Sequence, residues 1–242
     1  MGFERMRRGA AAALCGLALV APLHAADDTP VPDTMAQRLL ACTACHGRDG
    51  RSTLQGYVPR IAGKPAGYLF RQLRHFRDGR RPHPGMAKLL QFMTDDYLRD
   101  IAGHFATLQV PYALPLPAAD PAALLQRGQQ LAQRGDAALK LPACAQCHGS
   151  VLMGVAPQVP GLLGLPRDYL VAQVGAWQTR QRRADEPDCM ALVARRLSSA
   201  DLGAVTTWLA AQRVPDDAKP AGSAPAQAAD LKALGLDCGA AR

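Results

Sequence analysis

The pentapeptide Cys42-Thr43-Ala44-Cys45-His46 recurs about a hundred residues later as Cys144-Ala145-Gln146-Cys147-His148. Two thiols three residues apart lie one helical turn apart, and the histidine, four residues from the first thiol, shares their face. Such a triplet can hold one macrocycle by two thioethers and set an imidazole under its metal, which is why C-x-x-C-H reads as a c-type haem attachment site. Cys42, Cys45 and His46 would take one haem, and Cys144, Cys147 and His148 a second. Zinc is the general reading of paired C-x-x-C motifs. The immediate histidine, the export signal and the paired methionines described below argue against it here.

Residues 1–25 read as a secretory signal peptide. Arg5, Arg7 and Arg8 form the charged start, Ala10 to Val20 an apolar run too short to span a bilayer, and Ala25 a small residue before cleavage at Ala26. A retained N-terminal anchor is the alternative. Export would deliver the mature chain to the periplasm. Only 5% of residues are aromatic, low for two independent cores, and a haem in each would supply apolar bulk. The formal charge is +8, of which the first 25 residues hold three Arg and one Glu, leaving +6. Residues 33–110 hold twelve basic and six acidic side chains, and residues 121–214 ten and six. A balance spread this evenly, with no aromatic-interleaved basic stripe, argues against nucleic-acid binding. It suits docking of an acidic redox partner or peripheral association with an anionic membrane surface, with a merely solvated surface as the plain alternative.

The halves align beyond the motifs. Pro59 to Pro65 parallels Pro160 to Pro166, Tyr68-Leu69 parallels Tyr169-Leu170, Gln72 parallels Gln173, and Phe76 parallels Trp177, all at an offset of 101. One unit therefore occurs twice. Each copy is expected to be all-α, with three helices. The first, about Met35 to Cys45 and about Ala138 to Cys147, carries the haem motif. The second opens at Pro65 or Pro166, with Leu69, Leu73 and Phe76, or Leu170, Val174 and Trp177, at helical spacing. The third starts at Thr94-Asp95-Asp96 or Ser198-Ser199-Ala200-Asp201. The expected division is signal 1–25, first domain 33–110, a Pro- and Ala-rich linker 111–125, second domain 126–214, and a loosely ordered tail 215–242.

A haem that only passes electrons needs a second axial ligand. Met86 lies 40 residues beyond His46, and Met190 lies 42 beyond His148. Both are expected in loops between the second and third helices, where the chain could cover the opposite haem face; thioether ligation would raise the potential. The competitors are Met93, His83 and, in the second copy, Cys189 as a thiolate. Pro59 and Pro160, thirteen and twelve residues after their histidines, could offer carbonyls to the second imidazole nitrogen. His75 among Arg71, Arg74 and Arg77 reads as part of a solvated basic face. Four of seven cysteines attach haem and Cys15 leaves with the signal, so Cys189 and Cys238 remain, an expected disulfide in an oxidising compartment.

With these residues in view, the chain resembles the class I cytochromes c, and more closely the dihaem cytochromes of the cytochrome c4 type. The resemblance covers about residues 35–110 and 126–214. It rests on both haem motifs, on Gly63/Tyr68/Gln72 and Gly164/Tyr169/Gln173, and on Met86 and Met190. It implies two tandem all-α domains, each a small helical bundle around one covalent haem with His–Met ligation, in a periplasmic carrier shuttling electrons between respiratory donors and acceptors. The implied partners are a terminal oxidase, a quinol-oxidising complex or a dehydrogenase. The chain departs from the pattern at Cys189 and in its tail. The alternative readings are a dihaem enzyme of the peroxidase or thiosulfate-oxidising type, or a cytochrome subunit of a dehydrogenase complex.

Overall fold

A computed structural model of the chain describes residues 32–52, 57–115, 119–216, 219–223 and 228–238. The expected signal peptide lies outside these residues. Thr34 starts helix α1 (Met35–His46) by accepting the Gln37 N–H. Pro65 stands at the N-cap of α2 (Ala66–Arg77). A short helix, α3 (Pro84–Leu90), precedes α4 (Asp95–Thr107), which Thr94 caps and which carries Asp95 and Asp96 at the positive end of its dipole. Leu39, Leu69, Ile101, Ala102 and Phe105 bury the faces on which α1, α2 and α4 meet.

The second half repeats this plan with a break in it. Helix α5 (Ala122–Gln133) ends well before the haem motif, which sits alone on the five-residue α6 (Cys144–His148). Between them the chain turns through Gly135 at φ 73° and an Asp136–Leu141 bridge. Pro142 has no N–H to continue a helix into the motif. The expected helix from about Ala138 to Cys147 is therefore split, and α5 begins inside the stretch expected as a linker to residue 125. A two-stranded hairpin follows, β1 (Gly154–Val155) antiparallel to β2 (Val159–Pro160), then α7 (Arg167–Gln178), α8 (Cys189–Arg196) and α9 (Ser199–Ala211). Leu131, Ala132, Leu163, Tyr169, Leu170, Val205 and Leu209 form the core there.

Three further expectations change. The methionines lie on the first turns of α3 and α8, not in loops. His75 is buried against the second half rather than solvated: its Nε2 lies 3.3 Å from Asp185. The tail is partly built in. Ala221 bridges to Val155, a helix α10 (Ala228–Ala233) forms, and Leu236 is 1% exposed.

Candidate functional site

His46 ends α1 and His148 ends α6. Each is followed by a glycine at positive φ, Gly47 at 75° and Gly149 at 84°, so the chain doubles back at once. The returning segment brings a proline carbonyl to each imidazole: His46 Nδ1 lies 2.8 Å from Pro59 O, and His148 Nδ1 lies 2.7 Å from Pro160 O. A carbonyl only accepts, so Nδ1 donates in both rings and Nε2 keeps its lone pair. Burial lowers the pKa of both histidines, and a nearby cation adds to this in each case: Arg81 for His46, Lys64 for His148. A neutral imidazole with Nε2 available is the form that binds a metal.

The thiols precede each histidine on the same helix. Burial raises the pKa of Cys42 and Cys147 and pushes Cys144 up to about 12, while Cys45 is exposed. The second motif is thus the more enclosed of the two.

Met86 and Met190 sit on helices fixed by different caps. His83 Nδ1 accepts the Met86 backbone N–H at 3.2 Å. Asp188 accepts the Ala191 N–H at 3.0 Å and the Ala184 N–H at 2.6 Å. Nδ1 of His83 is therefore occupied as a cap, and Met93 packs against the first-half core. Cys189 forms a disulfide with Cys238, Cα–Cα 5.6 Å, and so presents no thiolate.

Where α2 and α7 face each other, the repeat builds a symmetric cationic cluster. Arg81 donates to Gln72 at 2.9 Å, to Gln173 at 2.6 Å and to the Tyr169 hydroxyl at 2.8 Å. Arg182 donates to Gln173 at 2.8 Å and to Gln72 at 2.7 Å. Arg81 stacks on Phe76 and Arg182 on Trp177. Both guanidiniums are buried, at 7% and 5% exposure, against neutral oxygens. Burial, and then the neighbouring Arg81, pulls Arg182 down to about 10. The Trp177 indole N–H is buried without an acceptor. Two buried cations and an orphan donor fit an anionic group beside them. A c-type haem carries two propionates, so the residues present fit the group that the motifs imply. Sequence reasoning missed Arg81 and Arg182, although they stand at the same offset of 101 as Gln72 and Gln173.

No family model matches the chain. Among curated relatives, a thiosulfate dehydrogenase electron acceptor of Thiomonas intermedia is 37% identical over 172 residues, 71% of this chain and 78% of that protein. A cytochrome c4 of Pseudomonas aeruginosa is 32% identical over 198 residues, 81% of this chain and 94% of that one. Of solved structures, reduced recombinant cytochrome c4 from Pseudomonas stutzeri matches with a TM-score of 0.64 at 26% identity, over 73% of this chain and 96% of that chain. The thiosulfate dehydrogenase of Marichromatium purpuratum matches at 0.63 and 31% identity over 72% of this chain, which spans only 39% of that protein.

Proposed function

This chain belongs to the family of dihaem cytochromes that includes the cytochromes c4 and the thiosulfate dehydrogenase electron acceptors, and from that premise we propose which residues hold its haems and which partner feeds it. It is an electron carrier, not a catalytic enzyme, built of two tandem all-α class I cytochrome c domains with two covalent haem c groups. In the proposed reading, Cys42 and Cys45 attach the first haem and Cys144 and Cys147 the second. His46 and Met86 would ligate one iron, His148 and Met190 the other. The first domain spans 33–110 and the second starts at Ala122. When bound, each haem supplies a one-electron Fe(III)/Fe(II) couple. The chain's own residues do the rest: Pro59 and Pro160 orient the imidazoles, burial keeps them neutral, the caps of α3 and α8 position Met86 and Met190, and Arg81 and Arg182 would offer positive charge to haem propionates.

The observation that carries this reading is the pair of imidazoles pinned through Nδ1 by repeat-related proline carbonyls. Optical and paramagnetic spectra of the oxidised protein test it. Two low-spin haems, each with a Met-to-iron charge-transfer band, are expected, with Met190→Ala removing one band and Met86→Ala the other. A high-spin iron, or a band surviving both substitutions, overturns it.

The proposed donor is a thiosulfate dehydrogenase, supported by relatives of that description at 37% and 36% identity. Mixing the oxidised protein with purified thiosulfate dehydrogenase and thiosulfate should reduce both haems; reduction no faster than without the dehydrogenase refutes it. The proposed compartment is the periplasm; among the described residues no helix is long and apolar enough to cross a membrane.

A further inference from the structure

We propose that Lys64, contributed by the first repeat, sets the reduction potential of the second haem. The proposal rests on the reading that His148 ligates that haem. Lys64 is 4% exposed and crosses into the second half, where its Nζ donates to the Gly161 carbonyl at 3.2 Å. Gly161 follows Pro160, whose carbonyl takes the His148 Nδ1–H at 2.7 Å. The ammonium therefore stands one peptide unit from the group that orients the ligand, and its field disfavours a proton on His148.

Among the described residues no carboxylate lies within ion-pair distance of Lys64, and the charged side chain that bears on it is another cation, Arg60. A buried charge without a counter-ion is costly. The repeat shows that the fold does not require it: the equivalent position is Leu165, packed in the second-half core. Among the described residues the first haem motif accordingly receives no matching cation from the second repeat. The cation acting on His46, Arg81, comes from its own half. Reduction of Fe(III) to Fe(II) removes one positive charge from the site. A fixed buried cation on the segment that holds His148 therefore favours the reduced form and raises the potential.

The test is a spectroelectrochemical titration of the haem-loaded protein at pH 6, with haem-methyl NMR signals separating the two haems. Unmodified protein is compared with Lys64→Met and Lys64→Arg. In Lys64→Met the reduction equilibrium of the second haem should shift toward Fe(III) by roughly threefold to tenfold, tenfold being about 59 mV for one electron. The first haem should stay put, and Lys64→Arg should keep the second haem within about twofold of its original equilibrium. Equal shifts of both haems, or an unmoved second haem in a variant that keeps its low-spin His–Met spectrum, overturns the proposal. Should Lys64→Met fail to load haem, Lys64→Leu, the residue the repeat carries, is titrated in its place. Absence of a histidine-ligated second haem in the unmodified protein would overturn the ligation reading instead, and that spectrum is taken first.

Discussion

The two halves present their haem motifs by different means. In the first, one continuous twelve-residue helix carries Cys42, Cys45 and His46 to its end. In the second, the motif occupies a five-residue helix cut off from α5. Yet His148 is buried where His46 is half-buried. In the second half the β1–β2 hairpin packs on the motif helix, the tail joins that hairpin through the Ala221 bridge, and the Cys189–Cys238 disulfide ties the tail to α8. A motif can thus lose its long helix and keep a buried ligand, provided the segment that follows it packs back on it. Stability in the second half should then depend on those segments in a way the first half does not share.

Cutting the disulfide is the hardest blow to that difference. It closes a loop of 49 residues, for which chain entropy gives about 4 kcal/mol. Cys189→Ser with Cys238→Ser should lower the thermal midpoint for loss of the second Met-to-iron band by several degrees. The first band should hold. Equal weakening of both bands would mean that the tail supports the molecule as a whole rather than α8.

Lys64 tests the junction. Burial, then Arg60, brings its pKa from 10.5 down to about 7. Below about pH 7 the amine is charged in folded and unfolded chains alike, and the burial penalty is fully present. Between pH 7 and 10.5 the folded chain has lost a proton that the unfolded chain keeps, so the penalty fades as pH rises. Lys64→Met should stabilise the protein at pH 6 by on the order of a few kcal/mol, and the gain should vanish by about pH 11. Urea unfolding at both pH values measures it; a gain independent of pH would assign the effect to packing alone.

Helix crossings differ between the halves as well. A methyl at Gly128 on α5 would run into the Ala204 carbonyl and the Trp208 Cβ on α9, whereas one at Gly103 on α4 would meet nothing within 4 Å. Gly128→Ala should therefore cost about 1–3 kcal/mol, and Gly103→Ala should stabilise by up to ~1 kcal/mol. Chemical denaturation of both variants checks the contrast.

Much of this architecture was legible because its signals are local. Pro65 and Pro166 announce α2 and α7, and Thr94 and Ser198 announce α4 and α9. The proline carbonyls follow from their matched distance to the histidines. The α5–α6 break was signalled by Gly135 and Pro142, but helical spacing read across them. His75 could not be placed from its neighbours: three arginines flank it in sequence, while the group that faces it, Asp185, lies in the other repeat. The order in the tail was hidden for the same reason. Its Ala-, Pro- and Asp-rich composition has little to bury, and among the described residues the Ala221 bridge, the disulfide and Leu236 hold it in place.

The finest difference lies in the caps beneath the two methionines. His83 contributes one bond to α3, to the Met86 N–H itself. Asp188 contributes two, one into α8 and one to the Ala184 N–H ahead of it, so it also fixes the approach of the chain. Losing an N-cap costs ~1 kcal/mol, with a range of about 0.5–2. His83→Ala should fall at the low end of that range and Asp188→Ala at the high end. In the disulfide-intact protein the larger loss should be partly masked, because Cys189 is tied down one residue from the cap. Removing the disulfide should therefore increase the cost of Asp188→Ala and leave that of His83→Ala unchanged. A double-mutant cycle on the stability of each Met-to-iron band measures the coupling; additivity at Asp188 would mean that cap and disulfide hold α8 independently.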